Sequence, residues 1–107
     1  MSEAIVVFMT AASADEARRI ANELVARQLA ACVQILPEIE SVYRWKGAVE
    51  REKEILLLAK TTAAEFGDLE KAVRAIHSYN TPEIVAVPMS AVSEPYRAWL
   101  TENVRGR

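Results

Sequence analysis

The segment His77-Ser-Tyr-Asn-Thr-Pro-Glu83 holds the densest group of side chains in the sequence that could do chemistry. A neutral imidazole suits copper and zinc, so His77 is the first candidate for a metal ligand. His77 also follows a helical pattern, and a protonated imidazole at the C-terminal end of a helix interacts favourably with the helix dipole. The residue alone therefore leaves two interpretations open, a metal ligand or a helix-terminal charge.

Sulfur ligands are scarce. Cys32 is the single cysteine and lies in the apolar run Ala-Ala-Cys-Val, where a free cysteine usually packs as a small hydrophobic side chain. Cys32 and Met9 are secondary candidates for reduced copper, which prefers soft ligands. One histidine and one cysteine cannot build a four-ligand zinc site within one chain. We therefore expect no obligatory cofactor, and weak binding of copper or another divalent cation without a preformed cage.

Four side chains are expected to form a small pocket between subunits. Tyr79 and Glu83 flank Pro82 at the entry to a predicted strand, and Lys60 stands near the end of an earlier one. If these side chains converge near the indole of Trp45, they make a polar pocket with an apolar wall, suited to a small-molecule ligand. The alternative is an interfacial ion pair between Lys60 and Glu83, with Tyr79 packed over it.

Hydrophobic periodicity indicates the elements that must position these residues. Short β-branched or alternating runs predict strands, and apolar residues at helical spacing behind a capping residue predict helices. In chain order the predicted elements are a strand over 4–10, a helix after Ser13, a strand over 30–46 interrupted at Pro37, a strand over 49–60, a helix after Thr62, a strand over 83–87 and a helix after Ser93.

This order predicts an α+β fold on the ferredoxin-like βαββαβ plan, with an extra C-terminal helix. Residues 1–107 are expected to form one domain with a four-stranded sheet and helices on one face. The first strand is continuously apolar, which indicates a central strand buried on both faces. Ser13 with Glu16, and Thr62 with Glu65, have the spacing of capping boxes.

The strands around Gly47 form an unusually long predicted hairpin. Tyr43 and Trp45 alternate with polar residues and so share one face, while the charged run 50–54 is expected to face solvent. An exposed ribbon of this kind is marginal in water and invites uncontrolled pairing. We therefore expect the hairpin to protrude and to dock Tyr43 and Trp45 on a neighbouring subunit. In the alternative, Trp45 folds back beside Trp99 of the last helix.

Composition excludes several classes of function. The formal net charge of −2 provides no overall basic field for nucleic acid or an anionic membrane. One cysteine and no recognisable signal peptide or membrane span predict a cytoplasmic protein. The third strand lacks the stacking aromatics of an RNA-recognition module, and Thr10-Ala-Ala-Ser-Ala lacks the arginine and glycine of an acylphosphatase loop. With no defensible catalytic triad, we expect no enzyme activity.

Five blocks of sequence, in order and at compatible distances, resemble the CutA family of divalent-cation-tolerance proteins. The blocks are "IVVFMTAAS" (5–13), "RQLAACVQI" (27–35), "YRWKG" (43–47), "LLLAKTT" (56–62) and "HSYNTPEIVAVP" (77–88). The resemblance implies a ferredoxin-like subunit in a tight homotrimer held by strand pairing, and a role in tolerance of divalent metals, copper among them.

The sequence departs from the family pattern at several positions. Gln34, Ser78 and Asn80 replace residues that are common in the family, Met9 stands where some members have cysteine, and Ile76-His77 replaces a pair of histidines. These differences imply a less complete metal site. The family also resembles the trimeric PII signalling proteins, so a PII-like small-molecule or nucleotide sensor is the alternative function. The glycine-poor hairpin, however, offers no evident phosphate cradle.

Overall fold

The computed structural model describes residues 2–106, which form one antiparallel sheet of four strands and three α-helices. The elements are β1 (Ala4–Ala11), α1 (Ala14–Ala26), β2 (Cys32–Trp45), β3 (Ala48–Thr62), a 3-10 turn (Ala63–Glu65), α2 (Phe66–Ile76), β4 (Ile84–Pro88) and α3 (Glu94–Glu102). The sheet order is β2-β3-β1-β4, and every neighbouring pair is antiparallel. The predicted α+β class and order of elements are confirmed.

The main core lies between one face of the sheet and helices α1 and α2. Alternate residues of β1 point into it, and Val7 and Met9 are completely buried there. Leu57 of β3 pairs with Met9 and is equally buried. Ile20 and Leu24 of α1 close the core from the helix side, because their spacing of four residues places them on one face of the helix.

The opposite face of the sheet is apolar but largely uncovered within the chain. Phe8 of β1 stands between Leu58 and Val85 in the cross-strand register. Val85 and Val87 of the edge strand β4 are 52% and 41% exposed. We call this surface the open face, and its members are Val6, Phe8, Leu36, Leu56, Leu58, Val85 and Val87. β1 is a central strand, as predicted, but within a single chain Val6 and Phe8 are only half-buried on the open face.

The hairpin extends well past the rest of the sheet. β2 and β3 contain 14 and 15 residues, whereas β1 contains eight and pairs only with residues 55–62 of β3. The register of β2 shifts between Leu36 and Ile39, which confirms the irregularity predicted at Pro37. Lys46 and Gly47 both have positive φ angles, 50° and 82°, as a two-residue type I′ turn requires. The protrusion predicted from the sequence is confirmed.

The N-terminal end of α1 is tied to the loop that follows α2. Ser13 Oγ accepts a hydrogen bond from the Glu16 amide at 3.1 Å, as predicted for a capping residue. The Glu16 carboxylate does not return to Ser13, however. It accepts hydrogen bonds from the Ala12 amide at 3.0 Å and from the Ser78 amide and hydroxyl at 2.7 and 3.1 Å. This buried carboxylate therefore fixes where the 77–83 segment leaves α2.

The second predicted capping box is wrong. Thr62 makes no side-chain cap, and a 3-10 turn precedes α2. The N-terminal segment supplies the missing acceptors, because the Ala63 amide donates to Glu3 O at 2.7 Å and the Ala64 amide donates to Ser2 Oγ at 2.8 Å. Glu65 is free to turn away, and it accepts a hydrogen bond from Arg105 Nε at 3.1 Å beyond α3.

The tie through Glu16 should be sensitive to pH. Burial alone would raise the pKa of the Glu16 carboxyl, but the hydrogen bonds from Ser78 and Ala12 outweigh it and leave the pKa below 4.5. The folded state then binds fewer protons than the unfolded state, so the stabilisation is present above pH 4.5 and is lost as the pH falls through the folded-state pKa.

We expect Glu16→Gln to lower the free energy of unfolding at pH 7 by about 1–3 kcal/mol, because buried donors lose a charged acceptor. The difference from the natural chain should shrink as the pH falls below 4.5. Urea unfolding at fixed protein concentration measures both effects. Asp15→Asn, at the exposed neighbouring position, serves as the control. A difference that stays constant down to pH 3 would contradict the assignment.

Candidate functional site

A cavity of about 550 Å³ lies between the hairpin and the loop that leads into β4. We call it the hairpin cavity. Three aromatic rings and two carboxyl groups dominate its lining, with hydroxyl groups between them. Its lining includes Tyr43, Trp45, Glu54, Tyr79, Thr81 and Glu83.

The cavity exists because β1 ends before the hairpin does. Ala11, the last residue of β1, pairs with Ile55 of β3. The pairing between β1 and β3 stops there, so the preceding residue, Glu54, has no partner in β1. On the other side of β1, Met9 pairs with Ile84, which places Glu83 beside the end of β1. The two glutamates therefore approach the same gap from different strands.

Tyr79 connects the loop to the hairpin across this gap. Its hydroxyl donates a hydrogen bond of 2.8 Å to Glu54 Oε2. Burial, this hydrogen bond and the negative charge of Glu54 raise the pKa of Tyr79 well above its ordinary value of 10. The phenol therefore stays protonated and acts as a donor. Burial and the charge of Glu54 also raise the pKa of Glu83 above 4.5, so negative potential accumulates at this end of the cavity.

The aromatic face of the hairpin is acidic, which corrects the sequence-based expectation. Tyr43 pairs with Glu50, Ser41 with Glu52 and Ile39 with Glu54, and directly opposed residues of an antiparallel pair project from the same face. Desolvation and the charges of these glutamates raise the pKa of Tyr43. The expectation that the whole run 50–54 faces solvent is therefore wrong at Glu54, which is buried.

The other face of the hairpin has the opposite character. Arg44 pairs with Val49, and Val42 pairs with Arg51. Lys53 pairs with Glu40 on the same face, and Arg51 forms an exposed ion pair with Glu40 at 3.7 Å. Because charges of opposite sign alternate along β3, strand geometry sorts them onto opposite sides.

Trp45 and Tyr43 are 50% and 41% exposed within the chain. Both line the hairpin cavity rather than the end of the molecule that carries α3. Trp99 of α3 instead contacts Tyr96, with ring centroids 5.5 Å apart. The alternative in which Trp45 folds back beside Trp99 is therefore not adopted.

Lys60 does not join Tyr79 and Glu83 within one chain, so the expected nearness of the end of β3 to the loop before β4 is wrong, while the intersubunit pocket itself stays a prediction. β3 and β4 both run antiparallel to β1 and are therefore parallel to each other. The C-terminal end of β3, which carries Lys60, therefore lies level with the C-terminal end of β4. Glu83 lies at the opposite end, just before the start of β4. Lys60 pairs with Val6 and donates a hydrogen bond of 2.6 Å to Gln34 Oε1, so the predicted interfacial ion pair with Glu83 stays a prediction for the assembly.

The imidazole of His77 is completely buried and already has partners at both nitrogens. Nε2 lies 2.8 Å from Thr10 O, and Nδ1 accepts a hydrogen bond of 3.0 Å from the Tyr79 amide. A neutral ring satisfies both contacts. His77 thus joins the end of α2 to β1, and a metal ion could reach it only by displacing one of these bonds.

The two sulfur candidates lie on different strands, Met9 on β1 and Cys32 on β2. Met9 is fully buried in the core on the helix side of the sheet. Cys32 is half-buried at the start of the edge strand β2, pairs with Lys60 and contributes, after burial, to the raised pKa of Tyr96. Over residues 2–106, no group of three or more histidine, cysteine, aspartate or glutamate side chains is placed to hold a metal ion.

Glu54 is the site residue that sequence reasoning missed. The sequence was enough to place Glu54 on the same face of the hairpin as Tyr43, because a two-residue turn at Lys46-Gly47 fixes the register. It was not enough to predict the contact of Glu54 with Tyr79, because that contact depends on the path of the loop after α2.

Within the described range, none of the helices is long and apolar enough to cross a membrane.

Comparison with known proteins identifies the family. A family model described as CutA1 divalent ion tolerance protein matches residues 5–103. The divalent-cation tolerance protein CutA of Thermus thermophilus is 48% identical over 98 residues, covering 92% of this chain and 95% of the relative. The chloroplastic protein CutA of Arabidopsis thaliana is 41% identical over 101 residues, covering 94% of this chain and 56% of the relative. The chain thus spans about half the length of that plant protein.

Solved structures agree with the sequence matches. The Thermus thermophilus divalent cation tolerance protein superposes with a TM-score of 0.93 at 46% identity, covering 94% of this chain and 98% of the other. A protein from Archaeoglobus fulgidus described as the periplasmic divalent cation tolerance protein CutA gives 0.92 at 36% identity, with 95% and 99% coverage. With five blocks of similar sequence, one family model and the same fold in agreement, this chain belongs to the CutA1 divalent ion tolerance protein family.

Proposed function

We propose that this protein is a cytoplasmic homotrimer without enzyme activity that takes part in the response to divalent metal ions. Its working sites are the hairpin cavities, which bind copper or small molecules weakly near contacts between subunits. The names of the relatives support the link to divalent cations. Relatives are described as chloroplastic and periplasmic, so the cytoplasmic location rests on this chain's single cysteine.

The observation that carries the proposal is the open face together with the protruding hairpin. An apolar surface made of four adjacent strands is costly to leave in water at about 25 cal/mol per Å². The hairpin adds Trp45, which is half-exposed and lies in the part of the hairpin that extends past the end of β1. A closed assembly covers both features at once and gives the hairpin a second subunit to pack against.

Assembly also restores a role for Lys60 in the proposed site. Within the chain Lys60 reaches Gln34 on the edge strand β2. A neighbouring subunit that covers the open face brings its own strand ends close to this lysine. In the proposed trimer, Lys60 of one subunit and Glu83 of another can therefore line the same intersubunit pocket.

Light scattering during gel filtration tests the assembly. We expect a mass three times that of the 11.9 kDa chain. Leu58→Glu places a charge in the middle of the open face, and burying an unpaired charge costs several kcal/mol, so this variant should elute as smaller species. Val25→Glu, at an exposed position on α1, is the matched control and should leave the mass unchanged. A natural chain that elutes at 11.9 kDa would refute the trimer.

Copper should bind weakly, with the exposed Glu83 as the first ligand and the buried Glu54 beside it. The reason is that the described residues provide no preformed cage and His77 would have to give up a hydrogen bond. Calorimetric titration of Cu²⁺ into the natural protein, Glu83→Gln and Glu40→Gln measures this. Glu83→Gln should weaken binding severalfold, whereas Glu40→Gln, on the other face of the hairpin, should not. Tight stoichiometric binding that His77→Gln abolishes would place the metal at His77 instead.

A further inference from the structure

We propose that His77 is a pH-sensitive switch. When the imidazole takes up a second proton, its Nδ1 exchanges the amide of Tyr79 for the carboxylate of Glu16, and the loop backbone from Tyr79 onward is released from the end of α2. The contacts involved lie inside one subunit and do not require a neighbour. Tyr79 and Glu83 line the hairpin cavity, so the switch also changes that cavity, and this last consequence alone rests on the proposed function.

The partners of the neutral ring determine where a second proton can bind. Nε2 lies 2.8 Å from Thr10 O, and a carbonyl oxygen only accepts, so Nε2 carries the hydrogen. Nδ1 lies 3.0 Å from the Tyr79 amide nitrogen, which only donates, so Nδ1 carries none. Both nitrogens of a charged imidazole are donors. A proton on Nδ1 therefore faces the N–H of Tyr79, and the two donors must separate.

Glu16 provides the alternative acceptor. Its Oε2 lies 3.7 Å from Nδ1, and both side chains are buried, at 0% and 6% exposure. The same oxygen accepts a hydrogen bond of 2.7 Å from the Ser78 amide, and one carboxylate oxygen can accept more than one hydrogen bond. Ser78 therefore keeps its bond when the ring turns to Glu16, and Tyr79 loses its own. The hinge of the switch lies between these two residues.

The charge of Glu16 makes a buried imidazolium affordable. A buried cation is costly unless it is paired. Hydrogen bonds keep the pKa of the Glu16 carboxyl below 4.5, so Glu16 is negative over the range of about pH 5 to 8 in which histidine side chains ordinarily titrate. Among residues 2–106, no lysine or arginine forms an ion pair with Glu16. A protonated His77 supplies the missing counter-charge.

The other groups around the ring do not replace this pairing. β1 presents the uncharged carbonyl of Thr10. The ring of Tyr79 lies 4.8 Å away between centroids, and its raised pKa keeps it uncharged. The face of that ring attracts a cation, so we expect the backbone amide of Tyr79 to move and the ring to stay near. α2 contributes exposed charges of mixed sign along an open groove that His77 also borders, and water and salt screen them; they are Glu70, Lys71 and Arg74.

Nuclear magnetic resonance tests the switch directly, because His77 is the only histidine in the chain. Long-range ¹H–¹⁵N correlation of the ring from pH 8 to pH 5 reads its tautomer and charge. Hydrogen exchange at the same pH values, corrected for the intrinsic rate, reads each amide. We expect the Nε2–H tautomer at pH 8. As the ring becomes charged, the Tyr79 amide should exchange at least about tenfold faster while the Ser78 amide keeps its protection.

Three variants separate the contributions. His77→Gln can still donate to Thr10 O and accept from the Tyr79 amide but cannot become charged, so its Tyr79 protection should be constant with pH. Glu16→Gln removes the counter-charge, so its imidazole should become charged only at a lower pH. Asp15→Asn, at the exposed neighbouring position, is the matched control and should titrate like the natural chain.

Two results overturn the switch. One is a ring that becomes charged while the Tyr79 amide keeps its protection, and the other is a ring that stays neutral down to pH 5. Both can be read from the natural protein even if a variant fails to fold. Neither measurement involves copper or the mass of the assembly, so the proposed function stands or falls by its own tests.

Discussion

The difference in length between β3 and β1 is the constraint on which the rest of the structure depends. β3 has 15 residues, and β1 can pair with only eight of them. Among residues 2–106, the remaining half of β3 pairs with β2 alone, so alternate residues of the hairpin turn their backbone N–H and C=O groups outward, where the ribbon offers them no partner. Such ribbons are marginal alone. The cavity, the acidic aromatic face and the exposed indole all lie in the part of the chain that this mismatch creates.

A second constraint keeps the cavity's other wall in place. The loop after α2 contains no regular hydrogen-bonding pattern of its own, yet it carries Tyr79 and Glu83. Glu16 holds the Ser78 amide and hydroxyl, and the imidazole of His77 bridges Thr10 O and the Tyr79 amide. These buried contacts anchor the loop to α1 and β1 immediately before Tyr79. The residue with the most obvious chemistry in the sequence thus positions the loop within the chain.

The sequence was sufficient for the elements and their order, because hydrophobic periodicity and turn residues are local signals. Pro37 and Lys46-Gly47 determine the shape of the hairpin by their own backbone preferences, and the structure follows them. Lys60 was wrongly expected beside Glu83 within the chain because the relative direction of β3 and β4, which are distant in sequence, cannot be read from local patterns. Which ends meet depends on both strands being antiparallel to β1. The cap expected from Thr62 failed for a similar reason, since Ser2 and Glu3 provide the acceptors from the far end of the chain.

The alternation of charge along β3 gives the ribbon a transverse electric dipole. Glu50, Glu52 and Glu54 lie on one side, and Arg44, Arg51 and Lys53 lie on the other. Two such ribbons repel when like sides meet and attract when unlike sides meet, so an approaching molecule experiences a torque before any atoms touch. This guidance acts over roughly the Debye length of about 8 Å at physiological ionic strength and fades in strong salt. The protruding ribbon is thus polarised to select the orientation of whatever approaches it.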